Sequence, residues 1–321
     1  MCNEVQTVGT LTDVGRGFST VVGTAYLDPM IETNCTFCGQ CLSVCPTCSL
    51  QIVSNMQDVY DALTDKSKTV IVQTAPAVRV ALGEGFGMEA GTLVTGKMVT
   101  ALKMLGFDYV FDTNFAADLT TRELASMIKD FSINFPELKD SEFDDPLGQS
   151  TGAGVIFGSS GGVLESAVRT AYNMITGEDL EAMEFHDLKE IKGIKEAEID
   201  IKGKKINVAV ASGLGNARKL LEDIREDRNK YQIIEIMACP GGCVDGGGQP
   251  RHHGNTERIA KRTAAIHQED RNKELRHSYK NPSIIQIYEE FLDHPGSDKA
   301  HELLHAGFYS REHFKNVTSE K

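Results

Sequence analysis

The chain has 321 residues, of which 40% are hydrophobic and 25% are charged, enough for one large core or two smaller ones. Its formal net charge of −13 argues against nucleic acid as a partner, because phosphate binding needs a clustered cationic face. The apolar runs are too short to cross a bilayer and no secretory signal opens the chain. We therefore expect an intracellular, cytoplasmic protein with no membrane partner; import into an organelle stays open.

In chain order, residues 1–55 contain many Cys and Gly residues and show little helical periodicity, which suits a small module folded around inorganic clusters. Between residues 56 and 250, helical stretches alternate with short apolar runs, which predicts helices covering a mainly parallel sheet. The predicted strands are 69–73, 107–111, 155–157, 206–211 and 232–236, with a hairpin turn at 202–205. Residues 251–321 read as a helical tail after a solvated turn at 252–253.

The eight cysteines fall into two groups separated by nearly two hundred Cys-free residues. Disulfide scaffolds are small, secreted and rich in Cys throughout, so tight groups in an intracellular chain favour metal ligation or redox chemistry. The first group contains Cys2, Cys35, Cys38, Cys41, Cys45 and Cys48, and the second contains Cys239 and Cys243.

The first group carries the C-x2-C-x2-C-x3-C-P spacing of bacterial ferredoxins from Cys35 to Pro46, which predicts a 4Fe–4S cluster. In that pattern the first three cysteines share a cluster and the fourth, Cys45, serves another. Cys2 is the natural candidate for the vacant position on the first cluster. Cys45 then has no complete cluster, unless it or Cys48 serves the remaining one. Buried thiols or a zinc knuckle are the alternative, although zinc sites usually use two separated Cys pairs.

The second group lies in the stretch from Glu235 to Pro250, where two thiols four residues apart follow a strand among five glycines. Glycine lets backbone approach a bulky group closely. A C-x3-C pair alone is a weak signal. The full stretch closely resembles the third signature of iron-only (FeFe) hydrogenases, E-x-M-A-C-x2-G-C-x2-G-G-G-Q-P, which holds the active-site H-cluster.

The resemblance covers nearly the whole chain, with further matches at residues 73–79, 95–98, 111–118 and 152–158. It implies an α/β fold in three parts. A ferredoxin-like Fe–S module (1–55) precedes an incomplete hydrogenase catalytic α/β domain (56–250) and a helical tail (251–321). The tail, with Tyr309-Ser-Arg311 near its end, resembles the small-subunit portion of the family.

By this resemblance, Cys239 and Cys243 ligate the cubane of the H-cluster, and Cys243 also bridges to the two-iron subsite where hydrogen is made or split. The residues that would line the pocket are Met237, Ala75, Pro76, Ala77, Phe157 and Val163. Each has a simpler alternative. Phe157 and Val163 could be ordinary core residues. Residues 75–77 could be a turn that ends a strand and is fixed by proline.

The other two family signatures, T-S-C-C-P and M-P-C-x2-K-x2-E, do not occur in the chain. In the family they supply the other two cubane thiolates, a proton-relay cysteine and a cyanide-contacting lysine. Segments that stand well apart in the family meet here at Thr120 and Thr121, which indicates an internal deletion. Glu123, just after this junction, is a poor replacement for the family's glutamate relay.

The resemblance therefore implies a ferredoxin hydrogenase, which reduces protons reversibly to H2 with electrons passed through 4Fe–4S clusters. Its partner would be ferredoxin or a similar redox carrier. Because a cubane needs four protein ligands, two alternatives remain: an Fe–S electron carrier without hydrogen chemistry, or the product of an internally deleted gene model. The oligomeric state stays open.

Overall fold

The computed structural model describes residues 1–112, 119–144, 150–180, 183, 185–187 and 193–305. Within these ranges the strands are β1 (Thr12–Val14), β2 (Val21–Gly23), β3 (Ile71–Thr74), β4 (Tyr109–Asp112), β5 (His186–Asp187), β6 (Ile194–Ile201), β7 (Lys204–Ser212) and β8 (Ile233–Met237). The α-helices there are α1 (Gln40–Val44), α2 (Met56–Thr64), α3 (Val78–Ala81), α4 (Thr95–Leu105), α5 (Thr121–Asp130), α6 (Gly152–Val155), α7 (Gly162–Thr176), α8 (Leu214–Glu226), α9 (Thr256–Asn272), α10 (Pro282–Ile287) and α11 (Asp298–Leu304).

The α/β class is confirmed, but the expectation of a mainly parallel sheet is wrong. In the described ranges β1 and β2 form an antiparallel pair, β3 and β4 a parallel pair, and β5-β6-β7-β8 a mixed sheet. Only β7 and β8 are parallel within the mixed sheet. The reason is the predicted hairpin turn, in which Lys202 and Gly203 both adopt positive φ and return the chain directly into an antiparallel partner.

The predicted strand at 155–157 is also wrong. This segment lies at the end of α6 and in a 3-10 turn, Ile156–Gly158. The Thr151 hydroxyl caps α6 by accepting the Gly154 N–H at 3.1 Å. The Ala153 N–H donates to the Arg276 carbonyl, so the backbone finds partners without a neighbouring strand. A three-residue apolar run cannot distinguish a buried helix from a buried strand by periodicity alone.

The mixed sheet is covered by one helix on each face. Along β7, Val208 and Val210 pack against α7, and the alternating Ala209 and Ala211 pack against α8. All four are at most 1% exposed, as expected for a continuous apolar strand covered on both sides. A separate core joins β3 and β4 to α4 and α5. Because β8 pairs with β7, the mixed sheet fixes the start of the loop that carries Cys239 and Cys243.

The helical tail is confirmed as far as the description reaches. After α9 and α10, a π-helical turn (Tyr288–Leu292) and α11 complete it. Tyr309-Ser-Arg311 lies outside the described residues. None of the described helices combines the length and apolar character needed to cross a membrane. The division of the chain at residues 55 and 250 stays a prediction.

A buried ion cluster fixes the tail to the rest of the fold. Two nitrogens of Arg169 on α7 lie 3.1 and 3.0 Å from the carboxylate oxygens of Asp270 on α9. Arg276 donates to the same carboxylate at 2.9 Å, and Glu165 pairs with Arg169. Asp270 and Arg169 are each 2% exposed. Burial alone would raise the pKa of Asp270, but hydrogen bonds from the two arginines outweigh it and hold that pKa below its usual value.

We predict that Asp270→Asn lowers the free energy of unfolding by about 3–5 kcal/mol at pH 7, because it removes the buried carboxylate that pairs with both Arg169 and Arg276 and leaves Arg169 with Glu165 alone among its described acidic partners. Since the pKa of Asp270 is depressed, its stabilisation exists above the unfolded-state pKa and is lost as pH falls through the folded-state value. Urea unfolding between pH 7 and about pH 3 measures both effects. The exposed Asp58→Asn is the control, and equal losses in the two variants would contradict the prediction.

Candidate functional site

Four cysteines of the first group line one cavity of about 500 Å³. Burial raises the pKa of Cys41, and nearby Cys38, Cys35 and Cys2 raise it further, so their sulfurs are close enough to interact. A cubane bonds each thiolate to a different iron, so its ligands surround a volume and do not converge on one point. The arrangement of Cys2 with the three spaced cysteines therefore fits a 4Fe–4S cluster.

Local backbone geometry bends the chain around this cavity. Phe37 and Gly39 adopt φ of 53° and 68°, so the chain turns sharply between Cys35 and Cys41. The Phe37 N–H points at the Cys35 sulfur at 3.4 Å. Helix α1 begins immediately after Gly39 and carries Cys41. Backbone N–H groups directed at sulfur are the usual environment of a ferredoxin-type cluster.

Cys45 and Cys48 do not line this cavity. Cys45 is buried, and its sulfur lies 3.7 Å from the Thr47 hydroxyl. Hydrogen bonding from the Leu50 backbone, and then from the Thr47 side chain, lowers the pKa of Cys45 to about 7. Cys48 is exposed. The expectation that Cys45 ligates iron stays a prediction, because the structure does not bring it to the other four.

The second cysteine pair lies in a tight loop after β8. The Gly242 N–H donates to the Cys239 carbonyl at 3.0 Å, and Gly241 and Gly242 have φ of 86° and 96°. A methyl group at Gly242 would lie 2.6 Å from the Ser160 nitrogen, so the loop requires glycine there. Burial raises the pKa of Cys239 to about 11 and also raises the pKa of the Cys243 thiol, although Cys243 is exposed as a residue. Without iron, Cys239 is therefore a neutral thiol.

Glu235 fixes the strand before this loop to the start of α7. Its two carboxylate oxygens accept the N–H groups of Gly161 at 2.6 Å and Leu164 at 2.8 Å. Burial raises the pKa of Glu235, although these hydrogen bonds act in the opposite direction. The glutamate of the signature thus positions the 157–163 segment relative to the cysteine loop.

The predicted pocket residues do not all become core residues. Val163 is 37% exposed and Phe157 is half-buried, and neither belongs to a hydrophobic cluster among the described residues. Their alternative role as ordinary core is therefore not supported. Pro76 lies beside Gly158, which brings the 75–77 turn next to the Phe157 segment. Half-buried Met237 ends β8.

Ala75 and Ala77 also satisfy the simpler alternative. Strand β3 ends at Thr74, and the Ala75 carbonyl accepts the Val78 N–H at 3.1 Å, as in a strand-ending turn. Ala77 is buried in a core cluster with Val155 and Val244. The pocket-lining role of the six residues stays a prediction.

The two cysteine groups are in direct contact. A methyl group at Gly247 would lie 2.5 Å from the Gly39 Cα atom, so the two backbones touch. Gln40, which is fully buried, donates from its side chain to the Asp245 carbonyl at 2.6 Å and hydrogen-bonds the Cys239 sulfur. The Cys239 sulfur lies 3.6 Å from the Cys38 carbonyl oxygen. Gly247 and Gly248 form part of the wall of the first cavity.

The junction at Thr120 and Thr121 is the beginning of helix α5. The Thr120 hydroxyl and the Glu123 carboxylate form a capping box. Glu123 is thus engaged in helix capping, consistent with its being a poor proton relay. The next two residues bond to the segment after the second cysteine pair. Thr121 donates to the Gln249 side chain at 2.9 Å, and Arg122 donates to the Gly247 and Gln249 carbonyls, both at 2.7 Å.

The expectation of a solvated turn at 252–253 holds for His253, which is exposed, but is wrong for His252. His252 is 5% exposed, and its Nε2 atom lies 3.0 Å from a carboxylate oxygen of Asp245, which is 2% exposed. The fully buried Arg262 holds this region by donating to the Val244 and Pro250 carbonyls and to both oxygens of Glu84. The adjacent His253 has φ of 48°, which reverses the chain after the buried side chain.

The second loop does not provide the ligands of an H-cluster. All eight cysteines lie in described residues, and only Cys239 and Cys243 belong to this loop. The nearest additional cysteine of the description, Cys38, lines the first cavity. Among the described residues, no three His, Cys, Asp or Glu side chains could hold a single metal ion. Two thiolates are too few for a cubane, which normally has four protein ligands.

The fold and the two cysteine groups are those of a family of iron–sulfur oxidoreductases. The family model of the iron only hydrogenase large subunit, C-terminal domain, matches residues 68–121 and 119–247, and that of the iron hydrogenase small subunit matches residues 256–311. The chain belongs to the iron-only hydrogenase family. The large-subunit model matches in two segments that meet at residues 119–121, the place where the sequence indicates an internal deletion.

Relatives agree with this assignment. The chain is 38% identical to the NADP-reducing hydrogenase subunit HndD of Solidesulfovibrio fructosivorans, over 97% of this chain and 72% of HndD. More than 100 residues of HndD within the aligned region have no counterpart here. The structure of the apo [FeFe]-hydrogenase HydA1 variant C377H from Chlamydomonas reinhardtii matches 81% of this chain and all of that chain, with 27% identity and a TM-score of 0.69.

The family also contains proteins with other names. The cytosolic Fe-S cluster assembly factor narfl of Xenopus tropicalis is 27% identical over 60% of this chain and 41% of its own length.

Sequence reasoning alone missed three positioning residues: Gln40, Arg122 and Arg262. Their signal was weak, because each is a single polar residue far in sequence from the loop it contacts.

We predict that Glu235→Ala lowers the free energy of unfolding by about 1–3 kcal/mol, because it leaves buried N–H groups at the start of α7 without acceptors. Hydrogen–deuterium exchange of residues 161–164 should become faster. Glu198→Ala, which removes an exposed carboxylate paired with Lys205, is the matched control. Unchanged exchange at 161–164 would show that Glu235 does not hold this helix.

Proposed function

We propose that this chain is an iron–sulfur electron carrier of the iron-only hydrogenase family, with one 4Fe–4S cluster on Cys2, Cys35, Cys38 and Cys41. One observation carries the proposal: these four cysteines line the same cavity. A cubane on four thiolates accepts or donates one electron at a time. The partner is ferredoxin or a similar carrier that exchanges single electrons.

The neighbourhood of the cavity supports this role. The cavity adjoins the loop of the second cysteine pair through the Gly39–Gly247 contact and through Gln40, which contacts both Asp245 and Cys239. Cys38, one of the proposed cluster ligands, therefore lies directly beside Cys239, with its carbonyl oxygen 3.6 Å from the Cys239 sulfur. Burial by this loop also keeps water from part of the cavity wall, which protects the cluster and influences its potential.

The second candidate is the family's own reaction, the reversible reduction of protons to H2. It is favoured by the intact third signature, in which Cys239 and Cys243 stand on a loop that requires glycine at Gly242. The thiolates do not fit an H-cluster within this chain, since only two of the four are present. This candidate therefore requires two thiolates from another polypeptide.

We expect the anaerobically reconstituted protein to bind about four irons per chain and to show the EPR signal of a reduced cubane. Cys38→Ser should lose most of that iron and the native signal, because the cluster would lose a thiolate ligand. Cys48→Ser is the matched control and should retain both, since Cys48 is exposed and outside the cavity. Equal iron loss in the two variants would contradict the proposed ligand set.

Hydrogen evolution with reduced methyl viologen and infrared spectra separate the two candidates. The electron carrier should evolve no H2 and show no bands from iron-bound CO or CN⁻, even after exposure to a complete maturation system. About eight or more irons with H2 turnover would refute the carrier and establish the hydrogenase reaction in this chain.

A further inference from the structure

Segment 243–250, here called the signature loop, has its carbonyl groups occupied by donors. The Val244 and Pro250 carbonyls accept from Arg262, and the Asp245 carbonyl accepts from Gln40. The remaining carbonyls, of Cys243, Gly246, Gly247, Gly248 and Gln249, accept N–H groups of the loop or of Arg122. Three distant parts of the chain thus bond to the carbonyl groups of the loop.

The amide groups of the same loop show the opposite pattern. The N–H groups of Gly246 and Gln249 donate within the loop, and that of Asp245 donates to the Gly242 carbonyl just before it. Those of Gly247 and Gly248 donate to no protein atom in the part of the chain that the structure describes. Both glycines line the cavity that Cys2, Cys35, Cys38 and Cys41 surround. Gly247 is buried and Gly248 is partly buried. A buried amide is expected to have an acceptor, and the cavity that both glycines line is where a bound group can supply one.

The contact with Gly39 fixes how close the loop comes. A methyl group at Gly247 would lie 2.5 Å from the Gly39 Cα atom, and one at Gly39 would lie 2.8 Å from the Gly247 Cα atom. Only glycine at both positions permits this approach. Arg122 then holds the loop from its other side with two bonds of 2.7 Å, to the carbonyls that flank Gly248.

We propose that the Gly247 and Gly248 amides donate hydrogen bonds to the N-terminal 4Fe–4S cluster and raise its reduction potential, with Arg122 as the residue that positions them. This inference rests on the proposed function, because it assigns a role toward the same cluster. Reduction adds one electron to the cluster, and N–H donors stabilise the more negative state. The signature loop thereby serves the ferredoxin-type module in addition to carrying Cys239 and Cys243.

The test is an EPR-monitored redox titration of the reconstituted full chain with dithionite and mediators. Gly247→Ala displaces the amides without changing charge, and Arg122→Gln removes the support. Each should reduce the ratio of reduced to oxidised cluster at fixed potential by about tenfold, equivalent to about 59 mV for one electron. Arg122→Lys should fall between wild type and Arg122→Gln, because one ammonium cannot reproduce both bonds of the planar guanidinium.

Arg225→Gln on α8 is the control for loss of positive charge and should leave the potential unchanged. If Arg122→Lys restores the wild-type potential while Gly247→Ala has no effect, charge alone explains the shift and the inference is wrong. Loaded variants that all keep the wild-type potential would also overturn it.

A measurement on the unmodified protein covers the case in which a variant loses its cluster. With 15N-glycine labelling, pulsed EPR of the reduced cluster should detect couplings to peptide nitrogens that disappear with unlabelled glycine. A cluster-bearing protein without such couplings refutes the amide contacts alone. A protein that binds no iron refutes the proposed function itself, so the two failures are distinguishable.

Discussion

The contact between Gly39 and Gly247 is the constraint on which the rest of the site depends. Two backbones approach so closely that a side chain on either would clash with the other. The contact joins the loop of the spaced cysteines to the loop after β8, which otherwise are two hundred residues apart in sequence. Because buried Gln40 and Arg122 bond to the same loop from two sides, the cysteine groups share one supporting structure.

The internal deletion changes the chemistry of the chain more than its architecture. The structure still superimposes on the HydA1 variant with a TM-score of 0.69. Strand β7 packs against α7 on one face and α8 on the other. The loss concerns the thiolate ligands of the H-cluster cubane, because the second loop retains two thiolates where a cubane normally has four. Among the described residues β3 and β4 form a pair apart from the mixed sheet, with Ile71 and Tyr109 about half exposed. Fold and cofactor capacity are therefore separable properties in this family.

Much of the fold could be predicted from the sequence where the pattern was long and regular. The strands at 206–211 and 232–236 are found within two residues of their expected bounds, because each is a longer apolar run. The three-residue run at 155–157 became helical, since so short a run carries no periodicity. The parallel sheet was wrong because strand direction depends on turns, here Gly203, and not on the strands themselves.

The candidate site was predictable in part for the same reason. Cysteine spacing identified Cys35, Cys38 and Cys41, and the position left vacant in the ferredoxin pattern pointed to Cys2; all four line the first cavity. His252 was misjudged, since its partner Asp245 lies across a turn that composition does not reveal. Gln40 and Arg122 could not be found, because their roles depend on contacts made only in the folded chain.

The capping box at Thr120 and Glu123 has a consequence for how such a shortened chain can assemble. A helix whose first turn is satisfied by its own side chains nucleates from local information and needs no template from the residues before it. The junction at Thr120 and Thr121 lies at the start of this helix, where the Thr120 backbone is still extended. The chain after the junction can therefore form its own hydrogen-bonded helix without any of the deleted residues.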